Sequence, residues 1–252
     1  MEVLYGWQAG LALLRHRAAD VVSVAYSAER WGRELDEALG RVSRQVGVHE
    51  ASERDLEREA GTSHHEGLVL TVRERRWLTP ADLAEGLRQS RGVALALDRV
   101  RNPYNVGAIL RSAAFFGVDA VLLGAPAPHP ALAPDAVRVA EGGSEHVRLA
   151  RTTDLATTLQ KLRERGVTVV GADGASEVEV TGYDFAPPVV VVMGNEREGM
   201  SERVRAQCDA IVAIGGTGAV ESLNVAVAAG VLIAEVTRRR RPGQAARRLR
   251  RS

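Results

Sequence analysis

The sequence predicts an α/β fold: a parallel sheet with helices on both faces, preceded by a small α/β domain. Three patterns carry that prediction. From Val93 onward, short uninterrupted apolar runs alternate with segments of helical periodicity, and such runs mark strands covered on both faces, as in parallel sheets. Polar clusters rich in Asn, Arg, Glu, Gly and Ser stand at the exits of three of those runs, and open α/β sheets hold ligands beyond the carboxyl ends of their strands. The residues before 74 repeat the strand–helix alternation on a smaller scale, in a module near the lower size limit for independent folding.

Residues 6–17 carry Leu11 and Leu14 at helical spacing, 21–25 read as a short strand, and 31–42 as an amphipathic helix beginning at Trp31. A second short strand is expected at 46–48, a polar helix at 52–59 with Ser52 as its N-cap, and a buried strand at 67–72. These make a first domain, 1–73. Residues 74–92 are charged, contain Thr79-Pro80 and lack a strong core pattern, which reads as a linker with one short helix starting near Pro80. In the second domain, 93–238, strands are expected at Val93–Asp98, Ala120–Gly124, 167–172, Val189–Met193 and 211–214. Helices are expected at 105–116, 154–165, 201–207 and 222–238. The tail, 239–252, has almost no apolar residues and is expected to be disordered.

At 252 residues, 45% hydrophobic and 26% charged, the chain can bury a substantial core and has an ordinary soluble composition. The run Leu11-Ala12-Leu13-Leu14 is too short for a membrane span or the core of a signal sequence. Cys208 is the sole cysteine, which excludes an intrachain disulfide and fits the cytoplasm; it reads as a small buried apolar residue rather than a nucleophile. The net charge of +1 hides an asymmetry: eight arginines and no acidic residue lie between 238 and 251, leaving −7 for the rest. Such a tail either attracts phosphates in a sequence-independent, salt-sensitive way or merely solubilises, and it lacks the apolar anchor of a membrane-surface segment.

Chemistry is expected where the polar clusters stand. The strand Val93–Asp98 leads into Arg99-Val100-Arg101-Asn102-Pro103-Tyr104-Asn105 without a G-x-G-x-x-G, and Gly171-Ala172-Asp173-Gly174 has the wrong spacing for one. A nicotinamide-dependent oxidoreductase is therefore disfavoured. Asn105 and Arg111 stand six apart on one predicted helix among Val106, Ile109, Leu110 and Phe115. An arginine in so apolar a setting calls for an anion, and its planar fork suits phosphate; a surface or ion-pairing arginine is the plain alternative. Gly194 sits where a strand must turn and, lacking Cβ, also admits a flat ligand near the backbone. Glu196 and Glu198 serve chemistry or favour the start of the next helix. Ser222 is a functional hydroxyl or the N-cap of the last helix. Asn224, expected one turn inside that apolar helix, is a poor helix former and harder to dismiss. His64 and His65 have no Cys or carboxylate at zinc spacing, so they read as surface or ligand-contacting and no metal is expected. The stretch Glu141-Gly142-Gly143-Ser144-Glu145-His146 reads as a substrate-side loop or as a plain connection.

The three clusters together resemble the motifs of the SpoU/TrmH family of RNA ribose 2′-O-methyltransferases, in the SPOUT superfamily. Asn-x-Gly-Ala-Ile-x-Arg is met by Asn105, Gly107, Ala108, Ile109 and Arg111. Gly-x-Glu-x-x-Gly is met by Gly194, Glu196 and Gly199, and Ser-Leu-Asn-Val by Ser222, Leu223, Asn224 and Val225. Residues 1–73 resemble the family's small RNA-binding extension, including Thr62-Ser63-His64-His65-Glu66-Gly67. The resemblance implies a C-terminal trefoil knot, a homodimer, and S-adenosylmethionine held by Gly194, Ile214 and Leu223, largely through backbone groups. It implies a catalytic end made of Asn105, Arg111, Glu196, Ser222 and Asn224.

The implied reaction is methyl transfer to a ribose 2′-OH of structured RNA, ribosomal RNA ahead of transfer RNA. A catalytically silent RNA-binding or ribosome-assembly factor of the same fold is the alternative. Because the sulfonium methyl is already electrophilic, the residues must align the hydroxyl and stabilise a developing alkoxide. A guanidinium stays protonated, so Arg111 is read as a clamp on phosphate and incipient oxyanion, with Asn105 and Asn224 positioning. An RNA phosphate or water then takes the proton. The chain departs from the family at Ile214-Gly215-Gly216-Thr217, where Ile-Pro-Met is common, at Ala226 in place of Ser, and at Asn102-Pro103 in place of Asp-Pro.

Overall fold

The structure is a computed structural model and describes residues 1–124 and 132–240. Its first elements are β1 (Glu2–Tyr5), α1 (Trp7–His16), β2 (Val21–Tyr26), α2 (Arg33–Leu39), β3 (Gly47–Glu50), α3 (Glu53–Ala60) and β4 (Leu68–Val72). There follow α4 (Pro80–Ser90), β5 (Val93–Asp98), α5 (Pro103–Phe116), β6 (Ala120–Gly124), α6 (Pro134–Val139), α7 (Gly143–His146) and β7 (Arg148–Thr152). The chain continues through α8 (Leu155–Arg163), β8 (Thr168–Ala172), β9 (Val189–Met193), α9 (Glu202–Arg205), β10 (Ala210–Val212) and α10 (Val225–Arg240).

The described residues form two compact units. The first comprises 1–77, 102–111 and 132–146; the second comprises 78–101, 112–124 and 147–240. These differ from the expected boundaries at 73 and 92. The start of α5 and the helices α6 and α7 join the N-terminal module, because α6 packs on β1 and α1, and α7 on α1.

In the first unit the sheet order is β1-β4-β2-β3, with β4 antiparallel to both neighbours and β2 parallel to β3. Leu11, Leu13, Leu14, Leu35, Leu56, Leu68 and Leu70 are fully buried, so the apolar spacing of the sequence is the core. Strand β1 was not expected. Ser52 caps α3 as its residue type favours, its hydroxyl accepting from the Asp55 N–H at 3.2 Å. The expected helix from Trp31 begins only at Arg33, after an extended Gly32, and Trp31 instead lays its ring against Tyr26. His65 corrects the surface reading: it is buried, and its Nδ1 accepts from the Gly67 N–H at 3.1 Å.

A buried ion pair ties this unit together. Arg75 donates to Glu145 at 2.6 Å and to the Ser144 carbonyl at 3.0 Å, with side-chain exposures of 8% for Arg75 and 1% for Glu145. Removing one member of such a pair leaves the other charge buried and uncompensated. Glu145→Ala is therefore expected to lower stability by about 3–5 kcal/mol, read from urea denaturation.

The second unit is built on a six-stranded, wholly parallel sheet ordered β10-β8-β9-β5-β6-β7. Ala94, Ala96, Leu122, Val190 and Val192 face a cluster formed with α4, α8 and α9; the alternate positions Val93, Leu95 and Leu97 point to the opposite face. The helix expected near Pro80 is present, and its buried face makes it part of the core rather than of a linker. α4 is a well-capped helix, with Thr79 and Asp82 in a capping box and Pro80 in the first turn, and Leu83, Ala84 and Leu87 are fully buried. Strand β7, Arg-Leu-Ala-Arg-Thr, was not expected either; it lies at the sheet edge, where polar residues are tolerated. The tail expected from 239 lies outside the described residues, save that α10 continues through Arg240.

Candidate active site

At the carboxyl ends of β8, β9 and β10 a cavity of about 410 Å³ opens, within the range of small-molecule sites. Its walls come from Asp173–Ala175 after β8, Met193–Arg197 and Gly199 after β9, Ile214 after β10, and Glu221–Leu223 ahead of α10. Ala172, Met193, Val212 and Leu232 give it an apolar side. Gly194, Ile214 and Leu223, expected to hold the cofactor, thus line one cavity together with Glu196 and Ser222.

The turn after β9 is built from its sequence. Four buried valines and Met193 bring the chain out of the sheet, and Asn195 and Gly199 close the turn by exchanging backbone hydrogen bonds of 3.0 and 2.9 Å. A Cβ on Gly194 would lie 2.3 Å from both the Gly199 carbonyl carbon and the Met200 nitrogen. Only glycine fits. The turn is further held by Arg99, whose carbonyl accepts from Asn195 Nδ2 at 3.1 Å and whose guanidinium donates to the Gly199 carbonyl at 3.2 Å and pairs with Glu198. Glu198 is accordingly an anchor of the turn, while Glu196 stands exposed in the cavity wall.

After β10, the Gly215 N–H donates to Glu179 at 3.1 Å, and a Cβ there would lie 2.5 Å from a Glu179 oxygen. A proline there, as in the family's Ile-Pro-Met, would lose that N–H donor. The last helix starts at Val225, three residues later than expected, and its cap is Asn224: Oδ1 accepts from the N–H groups of Ala226 at 2.8 Å and Val227 at 3.4 Å. Asn224 therefore does not sit inside a helix, and Ser222 is an exposed wall residue of the cavity rather than the cap.

The first cluster lies in α5. Asn102 caps it, accepting from the Tyr104 N–H at 2.9 Å, a role that Asn fills as Asp would. Ile109 and Leu110 are buried, and Asn105 is partly buried. Arg111 overturns the apolar-setting argument: its side chain is 58% exposed and its anionic partner is Glu141, at 2.7 Å. Asn105 and Arg111 belong to the first unit; Glu196, Ser222, Leu223 and Asn224 belong to the second.

Sequence reasoning missed two contributors. Asp173-Gly174-Ala175 was weighed only as a failed nucleotide fingerprint, although a glycine at the exit of a strand beside β9 is the signal for a shared wall. Arg99 had no distinguishing signal, because its function depends on a left-handed backbone, φ 60°. Cys208 takes no part: burial, with Asp209 adding, pushes its thiol up to about 11, so it is not a thiolate near neutrality. Among the described residues no cluster of three or more His, Cys, Asp or Glu is arranged to hold a metal ion, and no helix is long and apolar enough to cross a membrane.

Residues 92–234 match the SpoU rRNA Methylase family. The chain is 36% identical to the 23S rRNA (guanosine-2′-O-)-methyltransferase RlmB of Ralstonia nicotianae, over 95% of this chain and 96% of that protein. It is 39% identical to an uncharacterized tRNA/rRNA methyltransferase of Mycobacterium avium, over 83% of this chain and 70% of the relative. The fold is that of the SpoU methyltransferase AviRb from Streptomyces viridochromogenes, solved in complex with AdoMet, with a TM-score of 0.76, 23% identity, and 96% and 91% of the two chains covered.

Proposed function

The chain belongs to the SpoU rRNA Methylase family, and from that premise we propose that it transfers a methyl group from S-adenosylmethionine to a ribose 2′-OH of structured RNA. Ribosomal RNA is placed ahead of transfer RNA, supported by the activity named for the RlmB relative. The observation that carries the reading is the cradle after β9, where a glycine without room for a Cβ joins Ile214 and Leu223 around one cavity. Those residues fit the cofactor: a Cβ-free wall and exposed backbone for its polar groups, an apolar side for its ring. When bound there, S-adenosylmethionine supplies an electrophilic methyl.

The protein's part is alignment and electrostatics. Arg111 is assigned as the clamp on RNA phosphate and on the charge that develops at the 2′-oxygen, because a fixed guanidinium fork stabilises such charge without reorganising. Asn105 and Asn224 position, Asn224 with its side chain already committed to starting α10. Glu196 and Ser222 contribute polar groups from the cavity wall. Water or an RNA phosphate accepts the proton. The first unit is assigned to RNA binding and the C-terminal segment to a trefoil knot, both supported by the family. The single cysteine favours the cytoplasm.

A homodimer belongs to the same reading. Leu223, Val227 and Val231 lie four residues apart at and along α10 with 45%, 54% and 40% exposure, an apolar stripe of the kind that marks an interface. Val227→Glu combined with Val231→Glu is expected to give a monomer by light scattering; an unchanged mass would remove the stripe from the interface. The reading as a whole is tested by calorimetric titration with S-adenosylmethionine and S-adenosylhomocysteine. Saturable binding near one per protomer is expected, and no binding at millimolar ligand, with RNA present or absent, would overturn it in favour of a silent RNA-binding factor.

A further inference from the structure

We propose that Glu141 is a positioning residue for methyl transfer, its carboxylate fixing the guanidinium of Arg111. The proposal rests on the assignment of Arg111 to the acceptor side of the reaction. Its evidence is the ion pair itself, made from a left-handed position at the end of α6 that helices ordinarily give to glycine. Glu141 sits in the left-handed region at φ 45°, a conformation unfavourable to any residue with a Cβ and natural to glycine. Two glycines follow it immediately, yet this position carries a carboxylate that is 46% exposed and 2.7 Å from Arg111. Glycine would relax the backbone, so the glutamate carries a cost in stability here. Strain of this kind points toward function.

The turn is anchored on both sides of Glu141. Before it, the Glu141 N–H donates to the Arg138 carbonyl at 3.0 Å. After it, Gly142 is also left-handed at φ 86°, and Gly143 lies so close to α5 that a Cβ would stand 2.9 Å from the Leu110 carbonyl oxygen and 3.0 Å from the Arg111 Cα. The next two residues are fastened by Arg75 through the Ser144 carbonyl and the buried Glu145 carboxylate. The turn is thus seated on the backbone that bears Arg111 and cannot drift from it. An arginine more than half exposed on a helix samples many rotamers, and ordering it for each substrate would carry an entropic penalty. A carboxylate fixed by the turn takes one edge of the guanidinium and orients the rest of its planar fork.

The test uses the full chain with Glu141→Gly, Glu141→Gln, Arg111→Ala and the double variant Arg111→Ala/Glu141→Gly. Measured are the thermal midpoint, affinity for S-adenosylmethionine, and kcat and KM on ribosomal RNA. Glu141→Gly is expected to raise the midpoint while lowering kcat about ten- to a hundred-fold, with cofactor affinity within about twofold of the parent. Glu141→Gln, whose amide oxygen still accepts from the guanidinium, should retain an intermediate kcat. The double variant should be no slower than Arg111→Ala alone. A Glu141→Gly protein with the parent's kcat, or one losing stability and activity together, overturns the proposal. So does a faster variant, which would make Glu141 a competitor of RNA for Arg111. Should Glu141→Gly fail to fold, an unchanged kcat in Glu141→Gln overturns it and a reduced one supports it. If Arg111→Ala turns over normally, the assignment of Arg111 itself has failed; if only the Glu141 variants are normal, that assignment stands and this proposal alone falls.

Discussion

Replacing Arg111 with alanine is expected to slow methyl transfer by about 10²–10³-fold, the range for removing one preorganised donor to a developing oxyanion. S-adenosylmethionine affinity should stay within about threefold of the parent, because Arg111 is no part of the cavity wall. The side chain is more than half exposed and lies on the surface of α5, so little packing is lost and the fold should survive intact. Arg111→Lys tests the geometry separately. A compact ammonium keeps the charge but not the planar fork, and only partial recovery of kcat is expected. Single-turnover methylation together with calorimetry separates the steps, and an Arg111→Ala protein at full speed would remove the residue from the acceptor side.

Gly194→Ala is expected to abolish saturable binding of S-adenosylmethionine. The added methyl would meet two backbone atoms at 2.3 Å, the Gly199 carbonyl carbon and the Met200 nitrogen, and backbone cannot swing aside as a side chain does. The turn must open, dragging Asn195, Glu196 and Arg197 in the cavity wall, with a loss of about 1–3 kcal/mol from overpacking. Gly216→Ala is the matched control. No atom lies within 4 Å of the Cβ it would add, so binding and stability should change little. Equal binding by the Gly194→Ala protein would place the cofactor elsewhere.

The second unit's sheet was legible because its strands announce themselves: Val189–Met193 and Val93–Asp98 are apolar from end to end, as central parallel strands are. Edge elements were not. Arg148–Thr152 carries two arginines and has a neighbouring strand on one side only, with an isolated bridge from Leu78 on the other, and Glu2–Tyr5 is a four-residue strand with no turn signal before it. The helix near Pro80 was legible from Thr79-Pro80, but its place in the core was not, because its buried face is three residues wide within a charged sequence.

At the site, the clusters were legible and the local setting of each residue was not. Gly194 and Ser222 lie in one cavity wall. Asn224 was predicted inside a helix and is its cap, since an apolar run cannot reveal at which residue hydrogen bonding begins. Arg111 was argued from burial and proved exposed with an ion-pair partner thirty residues on; no spacing rule brings Glu141 to it, because the meeting depends on a left-handed turn.

The most direct test of the central claim is to incubate the protein with methyl-labelled S-adenosylmethionine and unmodified ribosomal RNA, then hydrolyse the RNA in alkali. A 2′-O-methyl blocks the neighbouring-group attack that cleaves the chain, so ribose methylation leaves the label in an alkali-resistant dinucleotide, the predicted result. Label recovered in mononucleotides would mean methylation of a base and would contradict the account.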